Sequence, residues 1–313
     1  MKTAYRTFCA SHPELPIFFQ DWYLDAVCQE GEWGVAMVEE GGQVKGIWTY
    51  FIKKKMGFRY ITMPVFVKFM GPYLLGAYNL SEQHQILEKL LAQIPPVASI
   101  KQDFHYSITN WLPLYWQGYR QTSKYTYLLD ISDVQQVQNG VNRNIRRNLH
   151  KAAAQIKIEH WDNPEQFYGV NKLSFDRQNI SIPYSLQEFL RHDTALASQT
   201  RRKFFFAVDQ RGRVHSASYL VWDSQVGYYH LAGDDPSLRH HGAGILLIWE
   251  AILFLHNNLD IKCLDFEGSM LKNVEAIRRQ FGAKQTPYFS IAQNFSKTFN
   301  FLEKTRNLFR LFV

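Results

Sequence analysis

The sequence predicts an α/β (α+β) protein of two tandem domains, each a mixed central sheet flanked by helices. Three observations carry this reading. The 313 residues suffice for two domains of ordinary size. A hydrophobic share of 46% with 20% charged residues is that of a globular chain. Each half also reads in one order: helix, strand, strand, strand, helix, strand, helix, strand. The halves share no wording, so the repeat is architectural. The expected domains are 1–130 and 131–313.

The first half opens with helical periodicity over 17–30, where Phe18, Trp22 and Ala26 share a side. Strands over 32–38 and 43–52 flank a Glu-Glu-Gly-Gly turn ending at Gly42. Lys53, Lys54 and Lys55 read as a solvated hairpin tip before a strand over 57–63. Ser81 with Glu82 nearby marks a helix start, carried on by Ile86, Leu87, Leu90 and Leu91. Strands follow at 97–104 and 119–129, with a short helix over 111–117 between them.

The second half opens with one long helix expected over 133–155. Its apolar stripe is Val141, Ile145, Leu149, Ala152 and Ile156, and its other face carries Arg143, Arg146, Arg147, His150 and Lys151. A short strand over 156–161, helices over 164–176 and 185–197, and a hairpin of 203–208 with 214–222 come next. Then the pattern becomes specific. A strand over 226–231 leads through a polar turn to Arg239-His240-His241-Gly242-Ala243-Gly244, and a strongly apolar helix runs over 245–257. Helix-start N–H groups are unpaired and partly positive. Glycines let an anion approach them, and Arg239 adds a full charge. The arrangement reads as a phosphate cradle.

The cradle resembles the Arg/Gln-x-x-Gly-x-Gly/Ala signature of the GNAT acyltransferases. The following strand over 261–266, with Asp265-Phe266-Glu267-Gly268-Ser269 at its end, the helix over 273–282 and the last strand over 287–292 keep that family's order. The wording Asp-Phe-Glu-Gly-Ser with Phe281-Gly282-Ala283 is similar to the Fem-type branch, the peptidoglycan-bridge transferases and their acetyltransferase-like relatives. Phe69-Met70-Gly71-Pro72-Tyr73 looks like a strand of Fem-type first domains. The resemblance implies tandem GNAT-like domains and acetyl-CoA or another acyl-CoA as co-substrate. It places pyrophosphate on Arg239, His240, His241, Gly242, Ala243 and Gly244. It also places the pantetheine and thioester along Leu231, Ala232 and Gly233.

Acyl transfer to an amine needs a polarised carbonyl, a base and an exit for the leaving group. Asp265 and Glu267 alternate onto one face and are candidate bases. The alternative is that one of them caps the turn at Gly268. His230 is a further candidate base, and the alternative for it is a hydrogen-bonded core histidine. Asp234 is either a base or a turn residue. Arg177 and Gln178, ending a helix before Pro183, together with Tyr228, are candidate substrate contacts. The resemblance implies a tyrosine general acid in the last helix, where this chain has Arg278-Arg279-Gln280. Tyr288 is a substitute for it or part of an aromatic core.

Net charge is +7 and the pI is about 9.1, which suits an anionic partner: CoA, tRNA or a lipid-linked phosphate. Three cysteines without a CxxC spacing point to a reduced, cytoplasmic chain without a structural metal. No signal-like apolar run opens the chain, and no run is long enough to span a bilayer. The aromatic, basic segment 294–313 is expected to be a helix. It docks on its own domain or a sibling subunit, or serves as a foot on the inner membrane face. The chain is then a monomer or homodimer. Three readings stand: an acyl-CoA-dependent N-acyltransferase acting on a sugar, amino acid or cell-wall precursor; an aminoacyl-tRNA-dependent transferase; and a non-catalytic binding protein. No long heptad arm of the tRNA-using relatives is present.

Overall fold

In the computed structural model, which describes residues 1–238, 242–268 and 270–309, the chain divides into two compact units. The first comprises Met1–His12, Phe18–Lys124 and the chain from Pro287 on. The second comprises Pro13–Ile17 and Tyr125–Thr286.

The first unit begins with α1 (Lys2–Ser11), a helix with no counterpart in the sequence reading. A short 3-10 turn (Ile17–Phe19) and α2 (Asp21–Val27) replace the single helix expected over 17–30. Strands β1 (Glu32–Glu40), β2 (Gln43–Lys55) and β3 (Phe58–Thr62) form an antiparallel meander. The short β4 (Pro72–Leu74) pairs with β2. Helix α3 (Leu80–Leu91) crosses over to β5 (Ser99–Asp103), which runs parallel to β3, as a parallel neighbour requires. Its cap is Asn79, in a reciprocal box with Glu82, rather than Ser81. Helix α4 (Leu112–Trp116) and β6 (Arg120–Asp130) follow.

The second unit repeats the plan. The single helix expected over 133–155 is two, α5 (Val134–Gly140) and α6 (Arg143–Ala153). The break follows from Val141 and Asn142. Val141 is extended, and Asn142 donates its N–H to Gln280 O while its side chain caps Asn144 N. The apolar stripe still enters the core. Next come β7 (Ile156–Glu159), α7 (Pro164–Asp176), α8 (Leu186–Ser198), β8 (Arg202–Asp209), β9 (Val214–Trp222) and β10 (Val226–Asp234). Strands β7 to β10 are antiparallel. Helix α9 (Ala243–Leu259) crosses over to β11 (Cys263–Asp265), parallel to β10. Helix α10 (Lys272–Gln280), β12 (Lys284–Asn294) and α11 (Lys297–Phe309) end the description.

The halves exchange their last strands. Strand β6, from the first half, closes the second unit by pairing antiparallel with β11. Strand β12, from the second half, closes the first by pairing with β5. The units therefore do not follow a cut at 130/131. Each has its own apolar core, one around Trp48, Ile86 and Phe104, the other around Phe205, Leu220 and the buried face of α9. In the first unit, Phe299 of α11 is buried against Phe58 and Tyr60, and Phe295 packs on Tyr119. That helix start docks on its own unit. The side chains of Lys304, Arg306, Phe309 and Arg310 lie outside the described residues.

Candidate active site

Strand β10 is paired with β11 only from Val226 to Tyr228, yet it continues to Asp234. Beyond that point the second unit holds a cavity of about 580 Å³. Tyr229, His230, Ala232 and Asp234 of β10 line one wall, and Phe266, Glu267 and Gly268 after β11 line another. Ile277 and Arg278 of α10, Gly242 and Gly244 at the start of α9, Asn148 of α6 and Ser216 of β9 complete it. Alternation along β10 is interrupted where Tyr229 faces Leu220 and Leu231 faces Tyr219, so the register with β9 skips His230. A bulge of this kind re-aims a side chain.

His230 Nδ1 lies 2.6 Å from Glu267 Oε1. Glu267 has φ +54° and is followed by Gly268 at φ +70°, two successive left-handed residues. A Cβ on Gly268 would stand 2.1 Å from Tyr125 O, so only glycine fits there. Asp265 holds this turn. It is fully buried, and its Oδ1 accepts from the Glu267 N–H at 2.7 Å and from the Thr126 hydroxyl. Asp265 is thus a turn anchor and not a cavity base, which corrects its assignment beside Glu267. The alternation expected of a strand ends at Asp265, because the left-handed turn swings Glu267 toward His230. His192, fully buried, has its ring centre 5.2 Å from that of His230 with the planes tilted, and burial first and then the neighbouring imidazole hold its pKa well below the usual value.

Gly242 starts α9 with φ +124°, and a Cβ there would lie 2.7 Å from Asn148 O of α6. Among the described residues no side chain caps the helix at Gly242. Gly242 and Gly244 face the cavity, whereas the Ala243 side chain is buried in the core, so only its backbone is available to a ligand. Arg239, His240 and His241 lie outside the described residues. An unforeseen neighbour stands at this helix start. The Asp234 carboxylate, bonded by Ser216 Oγ at 2.7 Å, sits 3.6 Å from where a Gly244 Cβ would be.

The strand expected to cradle the thioester is partly engaged by the protein itself. Asn171 Nδ2 donates to Ala232 O at 2.7 Å, Ser216 Oγ to Gly233 O at 2.9 Å, and Asp234 N to Ser174 Oγ at 2.8 Å. Gly233 is buried against α7, and Leu231 is not in the cavity wall. Tyr228 is buried, with its hydroxyl donating to Asp223 at 2.7 Å, and is a core residue rather than a substrate contact. Arg177 and Gln178 are exposed at the end of α7 and do not line the cavity. Tyr288 belongs to the first unit, buried beside Phe69 with Lys68 Nζ on its hydroxyl, and is not among the residues lining this cavity. Asn148, Ser216, Tyr229 and Arg278 escaped assignment to the site, although Arg278 stood out as a departure from the expected tyrosine. No cluster of His, Cys, Asp and Glu able to hold a metal is present among the described residues.

Residues 139–273 match the family model of the acetyltransferase (GNAT) domain. Among solved structures the chain is similar to FemX, at 13% identity over 92% of this chain and 95% of that one, with a TM-score of 0.69. It is similar to a tandem GNAT protein from the clavulanic acid biosynthesis pathway, at 11% identity over 89% and 87%, TM-score 0.56. It is also similar to the C-terminal domain of a protein described as a lysylphosphatidylglycerol synthetase from Agrobacterium fabrum, at 12% identity over 92% and 93%, TM-score 0.58. A search of curated proteins finds no match. The chain thus has the fold of tandem GNAT proteins, and the stretch that matches the GNAT domain model lies within its second unit.

Proposed function

We propose that the chain is an N-acyltransferase that moves an acyl group, acetyl in the simplest case, from a CoA thioester to an amine. One observation carries this: a single cavity joins the glycine-led start of α9 to the bulged end of β10 and the His230–Glu267 pair. Glu267, the more exposed member of the pair, takes the proton of the attacking amine, and the buried His230 holds its carboxylate in place and shares the charge. The carbon–sulfur bond then breaks and the thiolate departs. Gly242, Gly244 and the backbone of Ala243 receive the diphosphate. Arg239, His240 and His241 are proposed to flank it. The acceptor is a sugar, an amino acid or a cell-wall precursor.

Two features favour a second reading, in which the donor is an aminoacyl ester of tRNA. The Asp234 carboxylate at the α9 start repels phosphate and suits an ammonium group. Arg143, Arg146, Arg147, His150 and Lys151 of α6 are exposed on the helix whose Asn148 lines the cavity.

Thermal shift with CoA separates the two. Saturable stabilisation is expected, because a ligand that binds only the folded state raises its stability. Asp234→Asn keeps the bond to Ser216 but removes the charge, and is expected to tighten CoA by about threefold or more. No response to CoA, together with salt-sensitive tRNA binding that Arg146→Ala weakens, selects the second reading.

A further inference from the structure

Arg278 is half-buried in the cavity wall, its guanidinium carbon 5.4 Å from the Tyr229 ring centre and 4.8 Å from that of Phe266. Among the described residues its Nε has no hydrogen-bond partner and no carboxylate pairs with it. The adjacent Arg279, which is exposed, does find Glu275 at 2.9 Å. Burial pulls the Arg278 pKa below its ordinary value, the mark of a charge held at a cost. Ring faces attract a cation, but they satisfy none of its five donors. The buried Nε–H is thus left without an acceptor, which costs stability that the ring contacts do not return. A partner supplied from outside resolves this.

The chemistry of the wall narrows that partner. The groups beside the guanidinium are the rings of Tyr229 and Phe266, and Val274 and Ile277 of its own helix line the same cavity. One guanidinium matches the single charge and two coplanar oxygens of a carboxylate. Among the described residues of the wall no second arginine or lysine joins it, whereas a phosphate dianion calls for more donors than one guanidinium supplies.

We propose that Arg278 is an anion subsite that receives a carboxylate carried by the substrate in the cleft. The proposal rests on the acyl-transfer reading only for which reactant brings the carboxylate. A dicarboxylic acyl group would bring it on the donor, and an amino acid would bring it on the acceptor. Because guanidinium stays protonated, Arg278 is not the general acid of the reaction.

Three paired probes test this on the full chain, with Arg278→Met and Arg278→Lys as variants. Succinate is compared with succinamide by thermal shift, succinyl-CoA with acetyl-CoA by the same readout, and glycine with glycinamide as acceptors by kcat/KM. In the wild type the carboxylate member of at least one pair is expected to win by about tenfold, the scale of one charge-assisted pair. The second pair winning identifies the donor as the source, and the third identifies the acceptor. The preference is expected to vanish in Arg278→Met and to survive in part in Arg278→Lys. Equal responses in all three pairs, or a preference untouched in Arg278→Met, overturn the proposal. If neither CoA thioester binds but succinate still outperforms succinamide, the CoA reading fails and the subsite stands.

Discussion

At the residue scale the proposed chemistry turns on His230 and Glu267. Neither is informative alone: one is a histidine on an apolar strand, the other a carboxylate before a glycine. The bulge in β10 and the left-handed turn after β11 bring them to 2.6 Å. Both substitutions, His230→Gln and Glu267→Gln, are expected to leave the melting temperature nearly unchanged. They should lower kcat by about a hundredfold or more, the usual scale of lost general-base assistance. Steady-state rates alongside melting curves check this, and full activity in both variants would remove the pair from the mechanism. Asp265→Asn should behave differently. Its carboxylate is buried under Thr126 and the Glu267 N–H, so the variant should destabilise the fold as well as slow turnover.

At the scale of elements, α9 and α6 form one unit of function. Their approach depends on Gly242, which has a left-handed φ and sits against Asn148 O. Gly242→Ala combines an unfavourable backbone conformation with a collision. It is expected to cost about 2 kcal/mol or more of stability and to weaken CoA binding, read by denaturant titration with and without CoA. The sequence indicated α9 well, because an apolar run after glycines has few other readings. It misplaced α6, because helical periodicity runs unbroken through Val141 while the break depends on Asn142 bonding to Gln280 O, far away in sequence.

At the scale of the whole molecule, buried histidines tie stability to pH. Burial among Phe69, Tyr73 and Tyr106 holds the His105 pKa at about 3, against an ordinary 6.5. His192 is displaced in the same direction in the other unit. Below the ordinary value the unfolded chain binds a proton that the folded chain refuses. Stability therefore falls as pH drops from 6.5 toward 3, and these groups add nothing above neutrality. The slope should approach about 1.4 kcal/mol per pH unit for each histidine. Melting temperatures across that range should show the fall, and His105→Gln should flatten it. An acid limb of unchanged slope in that variant would rule His105 out as its source.

Local pattern was enough for the tandem plan, nearly every strand, the α9 start and the family likeness, because periodicity and turn chemistry act between near neighbours. The three-dimensional fold decided what depends on distant pairing. It exchanged β6 and β12 between the units, split the helix at Asn142, and buried Tyr228 and Asp265. It also turned Arg278 from an apparent gap in the motif into a charged group in the cavity wall. Each of these choices rests on contacts between residues widely separated along the chain, where burial and hydrogen bonding outweigh local preference.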